Sequence, residues 1–137
     1  MESQLVLIAA DIYNSLGPGY NEVLYHRAFE VALRLSGIQY ESEVITPIFY
    51  KGHNIGHGRV DIKIHNFIIE LKAVNNMNNG DAIIQTKNYM NHYNLSSGMI
   101  FNFGQSKSGL GIILISNGVV HDFVNGTFIP RQELSIN

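Results

Sequence analysis

Gly58-Arg59-Val60-Asp61-Ile62-Lys63-Ile64-His65-Asn66-Phe67-Ile68-Ile69-Glu70-Leu71-Lys72 carries β-branched and aromatic residues on both sides of a His65-Asn66 pair. This pattern predicts two strands joined by a two-residue hairpin turn in which Asn66 takes positive φ. Ile64 then pairs with Phe67, and the register that follows sets Asp61 opposite Glu70. Opposed side chains lie about 5 Å apart on one face, where like charges repel unless something neutralises them. Lys72, two residues beyond Glu70, projects from that same face. Two carboxylates and an ammonium on one patch suit Mg²⁺ or Mn²⁺, an oriented water and charge building on a phosphate. A solvated charge ladder would use the same residues. The isoleucines and Leu71 around them make both strands read as central, however, and charges rarely occur there without a task.

Upstream of this stretch, Leu5, Ile8, Ala9, Ile12, Tyr13 and Leu16 fall on one helical stripe that stops at Gly17-Pro18-Gly19. A second helix follows, with Leu24, Ala28, Val31 and Leu35 as the expected buried stripe and Gly37 as a left-handed cap. Tyr40, Ile48 and Phe49 begin the β-rich region, which Gly52, Gly56 and Gly58 punctuate. Downstream, Phe67 to Val74 is a strand, Asn75 to Gly80 a loop, and Asp81 caps a third helix reaching about Tyr93. Met99 to Phe103 and Gly111 to Ser116 are apolar strands, and Asn117-Gly118 turns the chain into a last strand ending at Phe123. The order ααβββαβββ predicts an α/β fold, a mixed central β-sheet flanked by helices. No repeat or linker interrupts it, so residues 1–130 read as one domain and 131–137 as a frayed tail.

The chain has 137 residues, 45% of them hydrophobic and 15% charged, enough to bury a core without staples. It has no cysteine, which excludes disulfides, thiolate zinc sites, iron–sulfur clusters and cysteine nucleophiles. Apolar runs such as Leu5–Ala10 are too short to span a membrane or form a usual signal core, and Glu2 stands where a signal peptide carries positive charge. An intracellular setting, cytoplasmic or nuclear, is expected. Net charge is −2, which does not announce a nucleic-acid binder. The charge is divided, with six acids against two bases in residues 1–43 and seven bases against five acids in residues 44–137. Lys51, Arg59, Lys63 and Lys87, with His53 and His57 nearby, are candidates for contact with a nucleic-acid backbone; scattered solvated lysines give the same pattern.

Gly19-Tyr20-Asn21-Glu22-Val23-Leu24-Tyr25 matches the signature G-x-x-E-x-x-Y, and Asp61 followed by Glu70-Leu71-Lys72 matches Asp…Glu-x-Lys. The chain therefore resembles the GxxExxY family of the PD-(D/E)XK nuclease superfamily. The likeness runs from about residue 3 to 116. It takes in Gly17-Pro18-Gly19, Tyr50-Lys51-Gly52, Gly58-Arg59-Val60-Asp61, Gln85 with Tyr89, and Phe101-Asn102-Phe103-Gly104. Val60 stands where the superfamily's name has proline. The resemblance implies a restriction-endonuclease-like core in which Asp61, Glu70 and the Leu71 carbonyl hold Mg²⁺ or Mn²⁺. It further implies that Lys72 positions or activates water, that Glu22 and Gln85 reach the site from their helices, and that Tyr25 and Tyr89 pack or orient. Superfamily members commonly dimerise, which makes a homodimer an expectation here as well.

Several of these residues also have plain structural readings. Glu22 sits in a first helical turn, where the dipole and free amides favour a carboxylate. Gln85 and Tyr89 suit an ordinary boundary on one helical face. His53, His57 and Asp61 have a spacing that imitates zinc ligands, but the glycines between them point to a bent segment. Tyr40, Tyr50, Phe101 and Phe103 read as sheet and core residues and not as base-stacking platforms. No P-loop, GxGxxG, GxSxG or HExxH pattern is present. The function expected is a metal-dependent nuclease acting on DNA ahead of RNA. The alternative is a catalytically silent module that keeps the fold and binds nucleic acid or a protein.

Overall fold

The structure, a computed structural model, describes residues 1–75, 79–104 and 109–132. Two helices come first, α1 (Glu2–Leu16) and α2 (Glu22–Leu35), then strands β1 (Glu41–Tyr50), β2 (His53–Ile64) and β3 (Phe67–Lys72). Helix α3 (Asn79–His92) leads to β4 (Ser97–Asn102), β5 (Gly111–Ser116), β6 (Val119–Val124) and β7 (Thr127–Pro130). The seven strands form one sheet in chain order. Every neighbouring pair is antiparallel except β3 and β4, which run parallel because α3 carries the chain back between them. The expected mixed α/β sheet flanked by helices is the architecture observed. It carries one strand more than expected: Asn125 and Gly126, both at positive φ, make a second tight turn after Val124 and pair it with Thr127.

Strand alternation sends side chains to two separate cores. Ile62, Ile64, Ile69, Leu71, Met99 and Phe101 pack with Leu5, Ala9, Phe29 and Leu33 beneath α1 and α2. Val60, Ile68, Ile100, Ile113 and Ile115 pack with Ala82, Ile83, Tyr89 and Met90 beneath α3. Burial on both faces accounts for the near-continuous apolar runs in β3, β4 and β5.

Helix α2 is turned relative to expectation. Its buried residues are Tyr25, Phe29 and Leu33, while Leu24, Val31 and Leu35 are exposed, Leu35 to 84%. Apolar residues surround the helix, so two stripes fit the helical period, and the one bearing both aromatic rings won the core. The end of α2 is as expected. Gly37 at φ 71 lets its own amide reach the Arg34 carbonyl and the Ile38 amide reach the Leu33 carbonyl, the paired bonds of a Schellman cap. Helix α3 begins two residues before Asp81, which lies in its first turn and does not cap it. Residues 76–78 of the expected loop and 133–137 of the expected tail lie outside the described residues. Arg131 is tied down: its amide donates to the Val120 carbonyl, and its guanidinium makes paired bonds of 2.8 and 2.9 Å to Asp122.

Candidate active site

The β2–β3 hairpin has the register read from the sequence, with Ile64 paired to Phe67 and Ile62 to Ile69. Its turn differs, since Asn66 is not among the positive-φ residues. Beyond Ile62 and Ile69 the ladder opens. The Leu71 amide donates to Asp61 Oδ2 at 2.8 Å, so a carboxylate replaces a strand carbonyl as the acceptor.

The opening coincides with a change of face. Ile62 packs beneath α1 and α2, yet Val60, two residues earlier, packs beneath α3. The partner strand does the same. Ser42 Oγ meets His26 Nε2 of α2 at 2.8 Å, whereas Val44 packs on the α3 side. Strict alternation would keep each of these pairs on one face. The reversal falls at Glu43, which has φ 52, and at Asp61 across from it in the β1–β2 register. Asp61 therefore stands at a pivot in the sheet, with its side chain free to turn toward β3.

Glu70 is the buried member of the site, 3% exposed in the middle of β3. Its Oε1 has no hydrogen-bond partner, the one such buried side-chain atom among the described residues. Burial, the Asp61 charge and a hydrogen bond shared with Asp61 push its pKa up to about 9, against a smaller opposing pull from Lys72. Burial beside Asp61 thus favours a proton shared by the two carboxyl groups in the metal-free protein. Glu22 lies in the first turn of α2. Its pKa is raised by desolvation first, then lowered by Lys72 and raised by Asp61, so the three charges sense one another. Lys72 closes β3, and its carbonyl accepts from the Phe103 amide.

Two clasps hold this end of the sheet. Tyr25, fully buried, donates its hydroxyl to the Gly17 carbonyl at 2.6 Å and accepts from the Tyr20 amide at 3.2 Å. Its ring stacks on Phe103 at 4.4 Å and 1°. The tyrosine of the signature thus locks the Gly17–Gly19 turn so that Glu22 enters its helix beside the carboxylates. Asn102 is the second clasp. Its amide brackets Val74, accepting from the Val74 amide and donating to its carbonyl at 3.1 Å each, and also accepts from the Gly104 amide. Sequence reasoning assigned Asn102 no role, although it stands in the Phe101-Asn102-Phe103-Gly104 stretch.

On the α3 side, the Tyr89 hydroxyl accepts from the Arg59 amide at 3.1 Å and from Gln85 Nε2 at 3.3 Å. Burial raises the Tyr89 pKa, and the Glu70 and Asp61 charges add to the rise against the Arg59 and Gln85 hydrogen bonds. Gly58 makes this approach feasible, because a Cβ there would lie 2.5 Å from the hydroxyl. In the sequence Gly58 reads only as a glycine that punctuates the β-rich region and as part of Gly58-Arg59-Val60-Asp61, without this packing role.

The basic candidates are dispersed. Arg59 faces Glu43 at 3.9 Å and Lys63 faces Glu41 at 3.8 Å. Lys51 sits in the β1–β2 turn with its ammonium 5.4 Å from the Tyr50 ring centre, and Tyr50 is exposed, not a core residue. Lys87 borders a separate cavity with Val119, Val120 and Arg131. His53 and His57 are exposed on the hairpin.

The sequence model of the PD-(D/E)XK nuclease superfamily matches residues 1–113. This chain belongs to that superfamily. A solved crystal structure, that of SSO0001, superposes with a TM-score of 0.53 at 20% identity, covering 69% of this chain and 50% of that one. At that identity the likeness speaks for the fold, and this chain spans about half the length of its solved neighbour. Among curated proteins no sequence matches.

Members of the superfamily typically use a divalent metal. Among the described residues no three His, Asp or Glu side chains form a metal-holding cluster. Asp61 and Glu70 supply two hard oxygen donors, and the unpartnered Oε1 of Glu70 is a buried acceptor left over for such an ion.

Proposed function

We propose that this chain is a metal-dependent nuclease that hydrolyses phosphodiester bonds, with DNA ahead of RNA as its polymer. The observation that carries this reading is Glu70: a carboxyl buried at 3% exposure, one oxygen without a partner, beside a second carboxylate. Burying such a group costs stability, and a group that carries this cost is a candidate for a purpose beyond folding. Asp61, Glu70 and the Leu71 carbonyl would hold Mg²⁺ or Mn²⁺. When bound, that ion supplies Lewis-acid polarisation of the phosphate and a more acidic water. Asp61 is already oriented by the Leu71 amide, and a cation held by the two carboxyl groups would favour their ionised forms. Lys72 positions the attacking water and offsets the negative charge that grows on the phosphate. Glu22 orients water from α2, Gln85 approaches from α3, and Tyr25 and Tyr89 keep both helices in place. Lys51, Arg59 and Lys63 contact the polymer backbone along the β1–β2 hairpin, with Lys87 as an outlying contact.

The test is incubation of the pure protein and its Lys72→Ala variant with circular and linear DNA and RNA, with and without Mg²⁺ or Mn²⁺. Metal-dependent cleavage that falls by at least about a hundredfold in the variant is the expected outcome. A binding module that has lost its chemistry is the second reading, favoured by the pairing of Arg59 and Lys63 with acids on β1. It predicts no cleavage of any substrate by a cooperatively folded protein, and no metal-dependent rise in melting temperature.

A further inference from the structure

Between the β1–β2 hairpin and α3 lies a cleft of about 770 Å³, within the span of about 300–1,000 Å³ typical of small-molecule sites. Its apolar walls are Ile48, Phe49 and Ile84, which are 47%, 57% and 60% exposed. Together they make one contiguous apolar patch, with an aromatic face and an aliphatic wall, open to solvent. Among them stand the side-chain amides of Gln85 and Asn88.

Two features narrow what the cleft can hold. Asp81 lines it together with His57 and His92, and no lysine or arginine does, so it lacks the fixed positive charge that a run of phosphates requires. It also borders the candidate active site through shared residues. Gln85 and Tyr89 line the cleft and meet each other at 3.3 Å, and the Tyr89 hydroxyl bonds the Arg59 amide two residues before Asp61. An occupant reaching from the cleft to the carboxylates must therefore be apolar and flat at one end, able to bond to amides, and anionic at the other. A nucleotide with its base unstacked has that form.

We propose that this cleft receives an unstacked nucleobase, with the Phe49 ring as its stacking surface and Gln85 and Asn88 facing its polar edge, so that the preferred substrate is single-stranded nucleic acid. This rests on the nuclease reading for what happens to the strand, but not for its binding. A base within a duplex cannot enter without being extruded, at a cost of a few kcal/mol. Phe49 and Ile84 carry the recognition and take no part in catalysis.

The test is fluorescence anisotropy with a labelled oligothymidine and a labelled duplex of equal length, in EDTA, using wild type, Phe49→Ala and Ile84→Glu. Both positions are exposed, so the variants should fold, and melting curves check that they do. The expected result is tighter binding of the single strand than of the duplex by wild type. Phe49→Ala should then weaken single-strand binding about tenfold, the loss of one stacked base, with the duplex affinity unchanged. Ile84→Glu should weaken it further by adding charge to the wall. Equal single-strand affinity in wild type and both folded variants, or a preference for duplex, would overturn the inference. The two readings fail separately. Phe49-dependent single-strand binding without cleavage in Mn²⁺ leaves the base cleft standing and removes the nuclease. Cleavage of duplex that ignores both substitutions does the reverse.

Discussion

Glu70 is the residue at which stability and function pull in opposite directions. Its carboxyl titrates at about 9 in the fold and near 4.5 when exposed, chiefly because it is buried beside Asp61. Between those pH values the unfolded chain has lost the proton while the folded chain still holds it. Each step up in pH through that window therefore favours unfolding, so this contribution is fully present below pH 4.5 and is lost as pH rises through about 9. Glu70→Gln keeps the shape and removes the proton. In EDTA its melting temperature should gain on wild type as pH rises from about 5 to about 8, whereas parallel curves would show that Glu70 does not carry this burden. The hairpin register as far as Ile62 and Ile69 was legible because a two-residue turn sets it. The unpartnered oxygen was not, since it depends on the ladder opening beyond Ile62 and Ile69.

Among the elements, α2 gave the plainest disagreement between pattern and fold. Periodicity alone could not choose between two stripes on a helix that is apolar most of the way round, and tertiary packing chose Tyr25, Phe29 and Leu33. The two leucines near its end separate the alternatives. Leu33→Ala, at a fully buried position, should cost about 2–5 kcal/mol, and Leu35→Ala, at an 84% exposed one, less than about 0.5. Denaturant melts of the two variants check this, and equal losses would mean that the helix faces are misassigned. Strand β7 had a signal that went unread, since Asn125-Gly126 is the same kind of turn as Asn117-Gly118 one strand earlier. The face reversal at Glu43 and Asp61 had none. Each strand alternates plausibly alone, and the switch arises only from which helix layer covers each end.

The whole molecule is a sheet clad by α1 and α2 on one face and α3 on the other, with the carboxylates where that cladding changes over. Superfamily membership, the two separate cores and the clasps at Tyr25 and Asn102 all serve one short segment, residues 58 to 72. The central claim is that this segment holds a divalent cation. It is tested most directly by calorimetric titration of Mn²⁺ into wild type and Glu70→Gln near neutral pH, in two buffers of different ionisation enthalpy. One ion should bind to wild type with net proton release, because burial beside Asp61 favours a proton on that carboxyl pair in the metal-free state, and Glu70→Gln should lose both the binding and the release. Absence of binding to a cooperatively folded wild type, or equal binding by the variant, would contradict the account.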